Sequence, residues 1–331
     1  MKKPLLAVLL LLILGVLTAP GLAQDQMPIV LVENNWTASS INVNVAKLLI
    51  ENELGYAVEI LTLDESAQWA AIAAGDAQAS LEVWPSGHQE NIELYINELA
   101  AVVDGGLLGP IGKIGWYIPT YLLDEHPELA TWEGFVEPEN AALFATAETG
   151  AMGRFVGAAP GYVQYDAEII NNLGMNLEVV SGGSEEAILA TVRAAYRREE
   201  PVLFYFWTPH SFHAEYDLTE VELPEYSEEC YAGIEEGNSE NIACDYPDDV
   251  LFKIFNADLE TQAPDVFNFL SNMNYTSEDQ IEMMAMVDVD GLTAEEAAAA
   301  WIEDNEDVWS VWFLEPEEAA QATAEATETV E

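Results

Sequence analysis

The sequence alternates β-rich runs with helical ones, and this alternation limits the possible folds more than any other feature. Residues 28–33 are rich in apolar and β-branched side chains, and apolar residues then recur at helical spacing over 41–49. A strand pattern follows at 57–61, a helical pattern at 67–74 and a third strand pattern at 79–83. Strands that alternate with helices predict an α/β unit with a mainly parallel sheet.

The same order of elements returns in the middle of the chain, after a Gly- and Pro-rich segment at 105–119 that we expect to be a joint. Its patterns predict strands at 141–145, 177–181 and 201–207 and helices at 165–173 and 185–198. After an irregular stretch at 224–247 they predict a strand at 251–256 and helices at 263–273, 277–287 and 294–303. Two α/β units in series, within 331 residues, predict a protein of two lobes.

The two ends of the chain differ from the rest. Lys2 and Lys3 precede an apolar run at 5–17, and small residues follow near Ala23, which predicts a cleaved signal peptide over residues 1–23. A retained membrane anchor is the alternative. The last segment, 315–331, contains mostly Ala, Thr and Glu without apolar periodicity, which predicts a disordered acidic tail.

The net charge excludes several classes of partner. Nine Lys and Arg residues against sixty Asp and Glu residues give a formal charge of -51, which repels nucleic acids and anionic lipid surfaces. Such a charge is typical of a solvated acidic surface that is tolerated at high ionic strength. Polyanionic partners are therefore excluded.

Two cysteines, Cys230 and Cys244, lie in the irregular segment beyond the predicted export signal. An oxidising compartment favours one local disulfide between them. Two unpaired buried thiols are the alternative, because this spacing matches no specific disulfide framework.

Three aromatic residues next to chain-breaking prolines or glycines are the candidate binding residues: Trp84, Tyr162 and Trp207. Trp84 and Trp207 follow predicted strands, and ligands of α/β sheets bind at the carboxyl ends of strands. If the fold brings the three rings together, their π-faces form a box that binds a quaternary ammonium group. Trp36, in the loop after the first strand, is an additional candidate. For any one of these rings alone, core packing is the alternative.

Polar groups beside two of these aromatic residues could bind an anionic end of the same ligand. We expect Gly161 and Tyr162 to open a helix, which leaves the backbone N–H groups of Tyr162, Val163 and Gln164 free to bind a carboxylate. His88 lies on the predicted helical turn after Trp84, and a neutral imidazole there could donate one N–H to the carboxylate. These groups and the aromatic box together predict a zwitterionic ligand.

Catalytic motifs are absent from the sequence. It contains no phosphate-binding loop, no nucleophile elbow and no His-Glu-x-x-His motif, so we predict neither enzyme activity nor a cofactor. One alternative is a zinc-binding receptor that uses His88, His210 and His213, which lie near predicted strand ends.

The three aromatic motifs, together with the stretch from Cys244-Asp245-Tyr246-Pro247 to Trp301, resemble the OpuAC-like family over residues 28–314. These are glycine betaine, proline betaine and choline substrate-binding proteins of ABC transporters. The resemblance implies a two-lobed, type II periplasmic-binding-protein-like fold with the ligand cleft between the lobes. It also implies a first lobe from 28–112 plus 248–314 and a second lobe from 113–247.

The resemblance further implies a non-enzymatic, monomeric solute receptor at the periplasmic or extracellular face of the membrane. Such a receptor delivers glycine betaine or a related quaternary ammonium zwitterion to a transmembrane permease. The family's box would correspond to Trp84, Tyr162 and Trp207, with His88 and the amides near Val163 and Gln164 at the ligand carboxylate. Ala38 stands where choline-selective relatives carry aspartate, which favours a betaine over choline.

Overall fold

The computed structural model describes residues 27–234 and 238–314. The predicted signal peptide, 1–23, and the predicted tail, 315–331, lie outside the described residues. The strands are β1 Ile29–Glu33, β2 Val58–Thr62, β3 Ala79–Val83, β4 Val102–Pro119, β5 Gly153–Gly157, β6 Leu177–Ser181, β7 Leu203–Thr208, β8 Leu218–Glu220 and β9 Asp248–Asn256. The α-helices are α1 Thr37–Leu49, α2 Glu65–Ala74, α3 Gln89–Asn91, α4 Pro138–Ala141, α5 Asp166–Leu173, α6 Glu185–Tyr196, α7 Phe212–Glu215, α8 Leu259–Gln262, α9 Pro264–Asn272, α10 Ser277–Asp288, α11 Ala294–Asp304 and α12 Glu306–Trp309. None of the helices in the described ranges is long and apolar enough to cross a membrane.

The strands form one twisted α/β sheet with two parallel halves. The strand order is β2-β1-β3-β9-β4-β7-β5-β6, and β8 pairs with β4 outside this path. In one half β1 pairs parallel with β2 and β3, and in the other half β5 pairs parallel with β6 and β7. The alternation of strands and helices predicted this parallel arrangement within each half. The antiparallel strands β4 and β9 join the two halves.

Strand β4 corrects the expectation of a loose joint at 105–119. The segment is a continuous strand that pairs with β9 from Val102 to Lys113 and with β7 from Lys113 to Tyr117. Its glycines allow neighbouring groups to approach closely. At Gly112, for example, a Cβ atom would lie only 2.4 Å from the Trp84 ring. The strand therefore links the two lobes and also accommodates a predicted binding residue. The lobe boundaries given above, at 112/113 and 247/248, stay a prediction.

Two elements near the second lobe's start also differ from expectation. Residues 141–145 are helical or irregular, and the strand of this region is β5, which begins at Gly153. A Cβ atom on Gly153 would lie 2.4 Å from the Ala141 carbonyl oxygen, so the glycine allows β5 to pack closely against this residue. The same glycine lowers the strand propensity of the segment. The helix predicted at 165–173 begins at Asp166, so the expectation that Gly161 and Tyr162 open it is wrong, and residues 162–164 lie in a loop.

A disulfide closes the irregular segment before β9. Cys230 and Cys244 are joined with an S–S distance of 2.11 Å. Cys244 is buried in the main hydrophobic core, which also contains Trp116, Trp301 and Trp312.

Candidate ligand-binding site

One cavity between the two halves of the sheet brings the predicted aromatic residues together. We call it the aromatic cavity, and it is lined by Trp36, Glu65, Trp84, Ser86, Gly87, Ile114, Tyr162, Val163, Tyr205 and Trp207. Its empty volume, including the solvent at its mouth, is about 410 Å³. All four aromatic residues singled out in the sequence therefore face one space.

The chain positions these four rings at the ends of parallel strands, two from each half. Trp36 follows β1 and directly precedes α1, and Trp84 follows β3, where Pro85 turns the chain. Tyr162 lies in the loop after β5, and Trp207 lies near the end of β7. The carboxyl ends of the strands thus supply the walls, as expected for an open α/β sheet.

The rings are packed edge to face around the cavity. The ring centroids of Trp36 and Tyr162 are 5.4 Å apart with an interplanar angle of 89°, and those of Tyr162 and Trp207 are 5.9 Å apart at 76°. Trp36, Trp84 and Trp207 are each less than a tenth exposed. Dry aromatic faces at such distances attract a cation through their quadrupoles.

A buried carboxylate behind the cavity holds two of the walls. The indole Nε1 groups of Trp36 and Trp84 both donate to Glu82 Oε1, at 2.8 Å and 3.0 Å. Asn42 Nδ2 donates to the other carboxylate oxygen at 2.6 Å, and burial raises the pKa of Glu82 to about 7. Glu82 is absent from the sequence prediction because nothing distinguishes it there from the other acidic residues.

His88 lies behind the cavity wall rather than in it. Its Nδ1 atom accepts hydrogen bonds from Trp69 Nε1 at 3.3 Å and from Asn91 Nδ2 at 3.2 Å, so its Nε2 atom carries a proton. That Nε2 atom lies 3.3 Å from a Glu65 carboxylate oxygen, and the His88 side chain is fully buried. In this arrangement Glu65 stands between His88 and the cavity, and the contact of His88 with a ligand stays a prediction.

Two of the three backbone amides expected to bind an anion, those of Tyr162 and Val163, have partners inside the protein. Val163 N–H donates to the Glu65 carboxylate, and Tyr162 N–H donates to the Ala159 carbonyl at 3.2 Å. The Gln164 side chain accepts from the Asp166 amide at 2.8 Å at the start of α5. Val163 lines the cavity, whereas Gly161 and Gln164 do not.

Five lining residues are absent from the sequence prediction: Glu65, Ser86, Gly87, Ile114 and Tyr205. Glu65 is the first residue of α2, and Tyr205 lies in β7 two residues before Trp207, so both positions resemble ordinary helix and strand residues. Within the described residues the Tyr205 hydroxyl has no hydrogen-bond partner. Burial raises the pKa of Tyr205 well above its usual range, so its hydroxyl is a neutral donor beside the cavity.

The histidines of the zinc alternative do not converge. His213 Nε2 donates to the Trp207 carbonyl at 2.9 Å, and His88 faces Glu65. His210 Nε2 lies 2.7 Å from Glu185 and 4.0 Å from Asp288, which is the one His-and-carboxylate group of suitable geometry in residues 27–234 and 238–314. The zinc-binding alternative therefore has no support in the structure.

That group belongs to a set of contacts across the cleft, which we call the interlobe cluster: Thr37, Glu185, His210, Ser211 and Asp288. Glu185 accepts from the Thr37 amide at 2.7 Å, at the start of α1, and Asp288 accepts from Ser211 at 3.0 Å. A third contact lies at the cavity itself, where the Tyr162 hydroxyl donates to the Asn35 carbonyl at 2.6 Å. The two halves are thus closed over the aromatic cavity.

Comparison with known proteins agrees with this geometry. Residues 27–304 match the family model described as the substrate binding domain of ABC-type glycine betaine transport system. The chain is 27% identical over 319 residues to the trimethylamine N-oxide-binding protein of Pelagibacter ubique, covering 93% of this chain and 98% of that protein. It is 31% identical over 129 residues to a glycine betaine/carnitine transport binding protein of Listeria monocytogenes, covering 39% of this chain and 37% of that protein.

Solved structures show the same fold. Lactococcal OpuAC, closed and complexed with glycine betaine, superposes with a TM-score of 0.68 at 21% identity over 88% of this chain and 100% of that one. An ABC-transporter choline binding protein in complex with choline gives a TM-score of 0.68 at 19% identity over 90% and 97% of the two chains. The fold is therefore the two-lobed periplasmic-binding-protein fold with a ligand cleft between its lobes. With its family model spanning most of its length, the chain belongs to the OpuAC family of substrate-binding domains of ABC-type glycine betaine transport systems, whose members are receptors rather than enzymes.

Proposed function

We propose that this protein captures a small trimethylammonium zwitterion, with glycine betaine as the first candidate, and delivers it to the permease of an ABC importer. The observation that supports this most is the convergence of Trp36, Trp84, Tyr162 and Trp207 on one buried cavity. A methylated ammonium group cannot donate a hydrogen bond, so aromatic faces are the surface that suits it best.

The charges around the cavity also favour a cationic group. Among residues 27–234 and 238–314 no lysine or arginine lines the cavity, whereas Glu65 lines it and Glu82 lies directly behind two walls. Each cation–π contact in a desolvated site contributes roughly 0.5 to 2 kcal/mol. Three or four such walls support micromolar affinity after the costs of ordering and desolvation.

Titration calorimetry of the purified mature protein tests this proposal. We expect binding heat with at least one of glycine betaine, proline betaine, carnitine, choline and trimethylamine N-oxide, and none with ectoine, which lacks a methylated ammonium. The absence of heat with all five of these ligands, from a protein shown to be folded, would refute the proposal.

Trimethylamine N-oxide is a second candidate, and Glu65 is the observation that favours it. A betaine carboxylate would lie close to the Glu65 carboxylate, and the nearby Val163 and Tyr162 amides already have internal partners. An N-oxide has a much smaller polar end, which the single hydroxyl donor of Tyr205 could satisfy. The relative that matches nearly the whole chain is a trimethylamine N-oxide-binding protein.

The variant Glu65→Gln separates the two candidates. Its amide oxygen can still accept from Val163 N–H, while the negative charge at the cavity is lost. We expect the ratio of the affinity for glycine betaine to the affinity for trimethylamine N-oxide to be at least tenfold higher in the variant than in the wild-type protein. An unchanged ratio of the two affinities would show that Glu65 does not select between the ligands.

We also propose that the chain is exported and acts as a monomer outside the cytoplasm. The support is the signal-peptide pattern of residues 1–23, together with membership in a transport-system receptor family. N-terminal sequencing of the protein from cell fractions checks this, since a mature chain that begins near residue 24 is expected. Recovery of the full-length chain from the cytoplasmic fraction alone would contradict export.

A further inference from the structure

The buried carboxylate of Glu82 has a geometry that the proposed function does not yet explain. Building on that function, we propose that Glu82 is the positioning residue of the aromatic cavity: it fixes the indoles of Trp36 and Trp84 and supplies the negative charge that a bound ammonium faces across them.

The first part of this proposal follows from the hydrogen bonds. A single oxygen, Glu82 Oε1, accepts from both indole Nε1 groups, so the two rings share one anchor. Asn42 and Gln280 donate to Oε2 at 2.6 Å and 3.4 Å, which fixes the carboxylate in turn. Because Glu82 is the fourth residue of β3 and is almost fully buried, its own position is set by the sheet.

The second part follows from the absence of a counter-charge. All four donors to Glu82 are neutral, and in the described part of the chain no lysine, arginine or histidine contacts it. Its titratable neighbours are acidic groups: burial and then the charge of Glu185 raise the pKa of Glu82, and burial and then the charge of Glu82 raise the pKa values of Tyr162 and Tyr275. A bound ammonium would therefore be the first positive charge beside it.

A structural role alone does not require an acid at this position. A glutamine carbonyl could accept both indole N–H groups without the cost of a buried, uncompensated charge. Compared with glutamine, the carboxylate adds a second acceptor oxygen for Asn42 and Gln280 and a negative charge, and charge interacts strongly where water is excluded. The described residues contain a matched comparison in Asp166, a buried carboxylate that accepts from Trp116 Nε1 at 2.7 Å and from Tyr246 at 2.9 Å outside the cavity.

The experiment compares Glu82→Gln with Asp166→Asn in the full mature chain. Each substitution keeps an acceptor for the indole and removes one buried negative charge. Calorimetry with glycine betaine and with trimethylamine N-oxide gives the affinities, and thermal melting shows that both variants fold. We expect Glu82→Gln to weaken binding at least tenfold at pH 8 and Asp166→Asn to change it less than twofold.

The pH dependence provides the readout that a purely structural role would not change. Burial raises the pKa of Glu82 to about 7, so the ligand-free wild-type protein holds a proton there at pH 5.5 and must release it when a cation binds. The affinity difference between wild type and Glu82→Gln should therefore become smaller as the pH falls from 8 to 5.5.

The outcomes separate this inference from the proposed function. If the wild-type protein binds no trimethylammonium ligand, the proposed function fails. If the wild-type protein binds and folded Glu82→Gln binds equally well, or if the difference stays the same at both pH values, the inference about charge is overturned while the function stands. Glu82→Leu tests the anchoring role, since it should lower affinity further than Glu82→Gln does, and equal affinities of these two variants would overturn that role.

Discussion

Removal of the Tyr162 hydroxyl tests the contribution of lobe closure to ligand affinity without changing the aromatic contact with the ligand. It donates to the Asn35 carbonyl at 2.6 Å, and the two residues lie in the loops after β5 and β1, on opposite sides of the cleft. The variant Tyr162→Phe keeps the ring in the cavity wall and removes this hydrogen bond. Any loss of affinity then reports on closure rather than on the cation–π contact.

The magnitude follows from this single neutral hydrogen bond. Such a bond contributes about 0.5 to 1.5 kcal/mol net, and it exists only when the lobes are closed. Since about 1.4 kcal/mol corresponds to a tenfold change in affinity, Tyr162→Phe should weaken ligand binding by about twofold to tenfold. Replacement by leucine, which also removes the π-face, should weaken binding by more than this.

Titration calorimetry at constant pH and salt measures both variants, with Tyr121→Phe as the matched control. The Tyr121 hydroxyl donates to the Glu200 carbonyl at 2.8 Å, so the chemistry is the same, but both residues lie in the predicted second lobe. We expect Tyr121→Phe to bind like the wild-type protein. Unchanged affinity of Tyr162→Phe, or an equal loss in Tyr121→Phe, would refute the closure argument.

Three further predictions concern separate parts of the site. Trp207→Leu should weaken binding by about tenfold or more, because it removes a cation–π wall, while Trp132→Leu, outside the cavity, should leave the calorimetric affinity unchanged. Glu185→Ala removes charge-assisted hydrogen bonds of the interlobe cluster that contribute about 1.5 to 3 kcal/mol each, so affinity should fall at least tenfold and X-ray scattering should show a more open ligand-free protein. Burial raises the pKa of Asp166 to about 7. The folded protein therefore holds a proton on this carboxyl more tightly than the unfolded chain does, and the stability that this proton contributes is lost as the pH rises to 7. Between pH 5 and pH 8 the melting temperature of Asp166→Asn should therefore fall less than that of the wild-type protein.

Three results would contradict these predictions in turn. They are an unchanged affinity for Trp207→Leu, a wild-type affinity and compactness for Glu185→Ala, and parallel melting temperatures of Asp166→Asn and wild type across the pH range.

The walls of the cavity could be predicted from the sequence because they depend on local patterns. Trp84 follows a β-rich run and precedes Pro85, and Trp207 ends a β-rich run two residues before Pro209, so their places at the strand ends follow from the alternation of elements. Strand β4 could not be predicted in the same way. Gly112 lowers its strand propensity, and the reason for that glycine is the Trp84 ring, which comes from a distant part of the chain.

The polar part of the site depends on tertiary contacts that sequence patterns do not encode. Glu65 and Glu82 are two among sixty acidic residues, and only folding distinguishes them by burying one beside Val163 N–H and the other beneath two indoles. The sequence indicates His88 as a binding residue only through its place after Trp84. Its distance from the cavity depends on where α2 places Glu65, which no local pattern specifies.

The four aromatic walls come in two pairs, and this division determines the order of events during capture. Trp36 and Trp84 share one anchor within the first half of the sheet, so this pair is in place before any solute arrives. Tyr162 and Trp207 belong to the second half, so we expect them to contact the proposed ligand only in the closed arrangement described above. For the proposed ligand we therefore expect the association rate to depend mainly on Trp36 and Trp84, and the residence time to depend on how often the half with Tyr162 and Trp207 opens.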